Sequence, residues 1–323
     1  MKIRSVDASE ASAYDELAKS HGTLFNRMDW LALFGSQMQP YGIFSDNGKM
    51  VGGLSLYWER CGFFKICRRA PYTPTCGPFL EMTAQKPVTM IEMRRKALRC
   101  MAEFLENAGA SMCMLSLDRR ISDALPFFWR GYKVVPYYTY ILDLSPTMEE
   151  IFSNMASAQR NHVAKAKKDL LAVRRTEDLR IVRELVLATF ERQRKPVDKR
   201  MLDAILFRYC NCANSFAFTT YREDRPIATC LVVHDKSTAY DLLAGYRAEE
   251  RHHGAGPLAV YEAIRHSKEI GLKAFDFEGS VIPAIETYFR GFGGRLVPYL
   301  TVNKAWLPLE MALKLHPRYR NRF

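Results

Sequence analysis

The sequence predicts a mixed α/β protein, with strands in mixed sheets, built from two tandem copies of one unit. Three observations carry that reading. The chain has 323 residues, a length at which one hydrophobic core stops growing and a second domain is the natural expectation. A pair of matched blocks recurs late in each half. Around those blocks, each half repeats one order of helix and strand signals.

The blocks are MCMLSLDRRISDALPFFWRGY and LKAFDFEGSVIPAIETYFRGF. Ala124, Phe128, Trp129, Arg130, Gly131 and Tyr132 fall in step with Ala284, Tyr288, Phe289, Arg290, Gly291 and Phe292 at one constant offset, and VPYYT matches VPYLT after a small shift. Each copy opens with a hairpin signal. GIFSDNGKMVGGLSLYW turns at Asp46-Asn47-Gly48, and FAFTTYREDRPIATCLVVHD turns around Glu223-Asp224-Arg225.

An amphipathic helix follows in each copy, with Ile91, Leu98, Met101 and Leu105 on one face in the first and Leu258, Tyr261 and Ile264 in the second. Gly109 and Gly271 close these helices. A strand, a short helix carrying the Ala-to-Arg block, and a β-rich run containing Val-Pro-Tyr complete each copy. Between the copies, residues 148–195 read as two helices, the second capped by Thr176 or Asp178. The boundary is expected at Ser145-Pro146, giving domains of 1–145 and 146–323.

Composition sets the class. Apolar residues at 48% and charged residues at 25% describe a folded chain with a sizeable core. The opening MKIRSVDASE lacks the apolar run of a secretory signal, and no stretch is apolar for the ~18 residues a membrane span needs, so the expected location is the cytoplasm. Eight cysteines without a CxxC pair or Cys/His metal spacing are expected to form neither disulfides nor a zinc site. A net charge of +12 draws phosphates, whether of a nucleotide cofactor, a nucleic acid or a membrane.

The second copy holds the strongest local signal. Arg251-His-His-Gly254-Ala255-Gly256 lies between the strand TAYDLLAGY and a helix beginning near Pro257. Glycines there let backbone amides approach a pyrophosphate at a helix N-terminus, where unpaired donors and the helix dipole both favour an anion. This stretch resembles the acyl-CoA-binding motif of the GNAT superfamily (Gln or Arg, two residues, Gly, one residue, Gly or Ala). The Ala284-to-Phe292 block resembles the later helix of that superfamily.

FDFEGS, FRGFGG and the PYTPTCGP loop extend the likeness over nearly the whole chain to the Fem-type branch. In that branch two GNAT-like domains act together, and characterised members are peptidyltransferases that move an amino acid from charged tRNA to a cell-wall precursor. The resemblance implies two tandem GNAT-like acyltransferase domains. It also implies Arg251, Gly254, Ala255 and Gly256 at the donor, acyl-CoA such as acetyl-CoA as co-substrate, and no metal.

In FDFEGS, strand alternation would put Asp276 and Glu278 on one face. Deprotonating an acceptor ammonium needs a carboxylate of raised pKa, and Glu278 is the expected base, with a structural cap or ion pair as its other reading. Asp276 is expected to be structural. Tyr288 is read as the acid that protonates the leaving group, or else as an aromatic packed on the sheet as its counterpart Phe128 must be.

The first copy lacks the glycine motif before Pro87 and has LSLD, with only Asp118, where the second has FDFE. It is expected to bind or support. Arg160 and Lys165 belong to a basic helical cluster, either a solvated face or contacts for an acceptor phosphate. The tail WLPLEMALKLHPRYRNRF mixes apolar and basic residues, which suits an anionic membrane or docking on the protein body.

The expected activity is direct transfer of an acyl group from acyl-CoA to a primary amine on a small-molecule, sugar-linked or lipid-linked cell-envelope precursor, in a cleft between the halves at the inner face of the membrane. The alternatives are an aminoacyltransferase using charged tRNA on a peptidoglycan precursor, and a noncatalytic binder of RNA or precursor.

Overall fold

The computed structural model describes residues 1–81, 84–279, 281–317 and 319–323. Met82 and Thr83 of the GPFLEMTAQKP segment and Ser280 of FDFEGS lie outside the described residues.

In chain order the first half contains β1 (Lys2–Ser5), α1 (Ala11–His21), α2 (Met28–Leu31), β2 (Met38–Phe44), β3 (Met50–Cys61), β4 (Phe64–Arg68) and β5 (Phe79–Leu80). It continues with α3 (Pro87–Asn107), β6 (Met112–Ser116), α4 (Leu125–Phe128) and β7 (Lys133–Asp143). The second half runs α5 (Met148–Asn154), α6 (Ser157–Lys168), β8 (Ala172–Arg175), α7 (Leu179–Arg192), α8 (Lys199–Ala204), β9 (Ser215–Arg222) and β10 (Arg225–His234). It ends with β11 (Thr238–Tyr246), α9 (Ala255–Glu269), β12 (Ala274–Asp276), α10 (Pro283–Arg290), β13 (Arg295–Ala305) and α11 (Leu307–Leu315).

These elements form two compact units, Met1–Tyr137 together with Pro298–Phe323, and Tyr138–Val297. The sequence division at residue 145 differs at two places: the second unit starts at Tyr138, and the last segment completes the first unit. The reason is a pairing. In the first unit, β13 runs antiparallel to β6 from Thr301↔Ser116 to Ala305↔Met112, so the closing strand of the second repeat lies in the sheet of the first.

The first unit orders its strands β1-β2-β3-β4-β6 before reaching β13, with β5 against β3. Its core gathers Leu54, Leu56, Leu98, Met101, Leu105, Leu115 and Phe127. Ile91, expected on the same helix face, is exposed, and the buried part of α3 begins at Ala97. The second unit runs from the 138–143 part of β7 through β12, β11, β10 and β9 to β8. There β10 is buried almost throughout, as its apolar RPIATCLVVH sequence requires of a central strand.

Local sequence accounts for the ends of elements. Both hairpin turns form where expected, with Gly48 and Glu223 at positive φ. Gly109 and Gly271 end α3 and α9 in the left-handed region that glycine adopts freely. The segment after residue 148 differs from the expected single helix. It breaks at Met155 and Ala156, both extended, into α5 and α6, and Thr147 and Glu150 close a capping box on the first. Asp178, not Thr176, caps α7 by accepting the Arg180 amide; Thr176 is buried against Thr219. Among the described residues no helix is long and apolar enough to cross a membrane.

Candidate active site

In the second unit β11 and β12 lie parallel for three pairs, Thr238↔Ala274, Ala239↔Phe275 and Tyr240↔Asp276. There the pairing stops, while β11 continues to Tyr246 against β10. A gap thus opens at Asp241 on one strand and at Phe277 and Glu278 beyond the other. Two parallel strands that part at their C-terminal ends leave unpaired backbone and room for a ligand, at the edge where open α/β sheets bind theirs.

The strand is also irregular at this point. Val232 faces Asp241 and Leu231 faces Leu243, so Leu242 bulges out of the ladder. A bulge bends a strand and re-aims its neighbours' side chains.

Asp241 is the residue the sequence reading missed. It is 6% exposed, with Oδ1 accepting from the Cys230 thiol at 3.3 Å. Its Oδ2 is buried without a hydrogen-bond partner among the described residues. Burial raises its carboxyl to about 7, against an ordinary 3.8, and the thiol contact offsets only part of that. An aspartate within the otherwise apolar strand TAYDLLAGY was the available signal, since a lone buried carboxylate is costly unless it is used.

Tyr288 stands near it. Its phenol is pushed well up by burial and further by the Asp241 and Cys230 charges, so it keeps its proton throughout the physiological range. The Tyr288 hydroxyl lies 3.4 Å from where a Cβ on Gly256 would sit, which places it against the first turn of α9. Gln159 Nε2 donates to the Tyr288 carbonyl at 2.9 Å and fixes that part of α10. Its repeat counterpart behaves differently. Phe128, expected to pack on the sheet, is 63% exposed, and Phe127 beside it fills the core instead.

The α9 start is arranged by His252. Its Nδ1 accepts the Gly254 amide at 3.1 Å, its carbonyl accepts the Ala255 amide at 3.1 Å, and its Nε2 meets Asp169 at 3.0 Å. With Nδ1 accepting, the proton sits on Nε2 and points at the carboxylate. Pro257 has no amide. The Gly256 N–H is therefore the first-turn donor without an acceptor among the described residues, at the positive end of a 15-residue helix. Arg251, just before this turn, is exposed and has no ion-pair partner among the described residues.

The two glycines serve different ends. A Cβ on Gly254 would fall 2.1 Å from the His162 carbonyl oxygen, so this glycine lets the loop pack on α6. Gly256, facing the Tyr288 hydroxyl, is the one beside the gap.

The expected shared face of Asp276 and Glu278 does not form, because the strand ends at Asp276. That carboxylate is buried and accepts from Thr139 Oγ1 at 2.6 Å and from the Glu278 amide at 3.0 Å. The resulting turn throws Glu278 to φ +59°, a left-handed conformation that costs a non-glycine residue about 1 kcal/mol or more. Glu278 thus follows the end of β12 in a strained turn.

Arg160 and Lys165 are both engaged within the chain. Arg160 Nη1 donates to the carbonyls of Ser153 and Met155, tying the α5–α6 bend, and Lys165 pairs with Asp169 at 2.8 Å. Among the described residues no group of three or more His, Cys, Asp or Glu is placed to hold a metal ion.

Residues 156–290 match the family model described as acetyltransferase (GNAT) domain. No curated protein matches the chain. Among solved structures, FemX aligns with 97% of this chain and 100% of its own at 14% identity and a TM-score of 0.69. The C-terminal domain of a protein from Agrobacterium fabrum, described as a lysylphosphatidylglycerol synthetase, aligns at 11% identity over 95% of each chain with a TM-score of 0.61. L-PGS from Bacillus licheniformis aligns at 11% identity over 96% of each chain with a TM-score of 0.56. At these identities the likeness is one of fold.

Proposed function

We propose that this chain, whose residues 156–290 form a GNAT acetyltransferase domain within a Fem-like fold, is an N-acyltransferase that moves an acyl group from acyl-CoA to a primary amine by direct transfer. The observation that carries the reading is the buried Asp241, with its unpartnered Oδ2, at the point where β11 and β12 part beside the α9 N-terminus.

The donor's phosphates sit at the Gly256 amide, the helix dipole and Arg251. The loop of Gly254 and Ala255, fixed by His252, holds that turn in place. The acyl carbonyl lies in the gap. The acceptor amine attacks it, the C–N bond forms and the C–S bond breaks. The amine proton passes to Asp241, directly or through one water, while Tyr288 gives its proton to the departing sulfur and recovers one from Asp241, which leaves both groups as they began. Holding amine and thioester in line supplies much of the acceleration. Glu278, at the rim of the same gap, meets the acceptor ammonium as a counter-charge.

An acceptor carrying phosphate, such as a sugar-linked or lipid-linked cell-envelope precursor, would meet the largely exposed Lys165 in exchange for its Asp169 partner, whereas Arg160 is held by backbone carbonyls. A lipid-linked acceptor would bring the protein to the inner face of the membrane. Aminoacyl-tRNA is the second reading of the donor. The Fem-like fold over the whole chain and the net charge of +12 favour it.

The test is a donor comparison with a panel of primary amines, following release of free CoA thiol from acetyl-CoA and release of amino acid from charged tRNA. Amine-dependent thiol release supports the acyl-CoA reading. Transfer only from charged tRNA moves the assignment to an aminoacyltransferase, and tRNA binding without transfer from either donor overturns the enzymatic reading.

A further inference from the structure

In the first unit, α11 shows its more apolar side to solvent. Leu307, Met311 and Leu315, one turn apart, are 69%, 62% and 86% exposed, and Trp306 just before them is 61% exposed. Pro308 and Ala312 share that outer side, while Leu309, Glu310 and Leu313 are the half-buried ones. A helix on a water-facing surface normally turns its charges outward. This one instead exposes Leu307, Met311 and Leu315 along its nine residues, with Lys314 the one charge on the same side.

The segment is nonetheless anchored. Phe323 at its end is buried, and the Arg322 carbonyl accepts from Asn303 Nδ2 at 2.9 Å, so α11 is held as a fixed ridge. A cavity of about 670 Å³ separates it from the α4–β7 turn, lined by Phe128, Tyr132, Lys133, Glu310, Lys314 and Phe323. On that turn Phe128 and Trp129 are also exposed, extending the apolar surface across the cavity.

The segment is rich in cations. From Trp306 to Phe323 the sequence has Lys314, Arg318, Arg320 and Arg322 against one acidic residue, Glu310. Lys133 and Arg320 are exposed and have no carboxylate partner among the described residues. Exposed tryptophan and leucine ringed by lysine and arginine match a bilayer interface, where the apolar side enters the acyl boundary and the cations meet headgroup phosphates.

We propose that α11, with the Phe128-Trp129 end of α4, is a docking surface for an anionic phospholipid membrane. The charge excess selects the anionic bilayer over a neutral one, and the apolar ridge selects a bilayer over a soluble polyanion.

The full chain would be sedimented with vesicles of phosphatidylcholine, with and without phosphatidylglycerol, at low and high salt. Binding is expected only with phosphatidylglycerol, with a blue shift of tryptophan emission that Trp306→Phe reduces and Trp306→Phe together with Trp129→Phe removes. Because the three positions are exposed, Leu307→Gln, Met311→Gln and Leu315→Gln together should leave the Tm in place yet weaken partitioning about 30-fold or more. Lys314→Gln with Arg320→Gln should weaken it several-fold at low salt and little at high salt. No binding to anionic vesicles, or binding the triple variant leaves intact, overturns the proposal. A dimer abolished by the triple variant, without vesicle binding, also overturns it and gives the surface to a second copy of this chain.

Discussion

Asp241 lies where β11 parts from β12 and Glu278 just past the end of β12, and in the proposed reaction they have different tasks. Asp241 is enclosed and holds its proton to about pH 7, so near neutrality it can both accept a proton and give it up, the condition a general base needs. Replacing it with asparagine should lower turnover about 10²–10⁴-fold. It should also remove the rise of rate with pH through about 7. The same change should stabilise the fold. The folded pKa is raised, so Asp241 adds stability that is complete below about 4 and lost as pH climbs towards 7. Above that pH, keeping it ionised costs on the order of 4 kcal/mol. Thermal unfolding should therefore show Asp241→Asn gaining in Tm at pH 8 and matching the parent below pH 4. Glu278→Gln should leave the limb near pH 7 in place and act on acceptor binding. Tyr288→Phe should slow transfer about 10²-fold or more while leaving donor affinity nearly unchanged, as measured by turnover against calorimetric Kd.

The α9 start shows how far a motif can be read at the scale of an element. The glycines, the preceding strand and the following helix were legible as a phosphate-binding turn, because turn chemistry and helix ends are local. Which glycine does what was not legible, because the His162 carbonyl that crowds Gly254 comes from a helix some ninety residues earlier in the chain. Gly254→Ala should therefore cost about 2 kcal/mol or more of stability in denaturant unfolding, while Gly256→Ala should leave the unfolding midpoint nearly in place and weaken donor binding. The Asp276–Glu278 alternation failed for a related reason: a side chain accepting its own i+2 amide competes with strand backbone, and the period-2 pattern contains no sign of that. The bulge at Leu242, which accompanies the gap, has no sequence signature at all in TAYDLLAGY.

Over the whole molecule the repeat was legible because the two copies preserve matched blocks, and the hairpins, helix ends and order of elements followed from them. The placement of Pro298–Phe323 in the first unit was not, since strand partners are chosen by long-range pairing rather than by neighbouring residues. The net charge of +12 acts at this scale too. A CoA-type ligand contacts few cations and should show a shallow salt dependence, whereas tRNA should show a steep one, its log-affinity slope set by the phosphates neutralised.

The claim on which the rest stands is that the gap between β11 and β12, at the α9 N-terminus, takes the acyl donor. Isothermal titration of acetyl-CoA into the wild-type chain, Asp241→Asn and Gly256→Val addresses it without knowing the acceptor. The account predicts saturable binding to wild type and to Asp241→Asn, and its loss in a Gly256→Val chain whose Tm shows it folded. Equal binding to all three, or none to folded wild type, would contradict it.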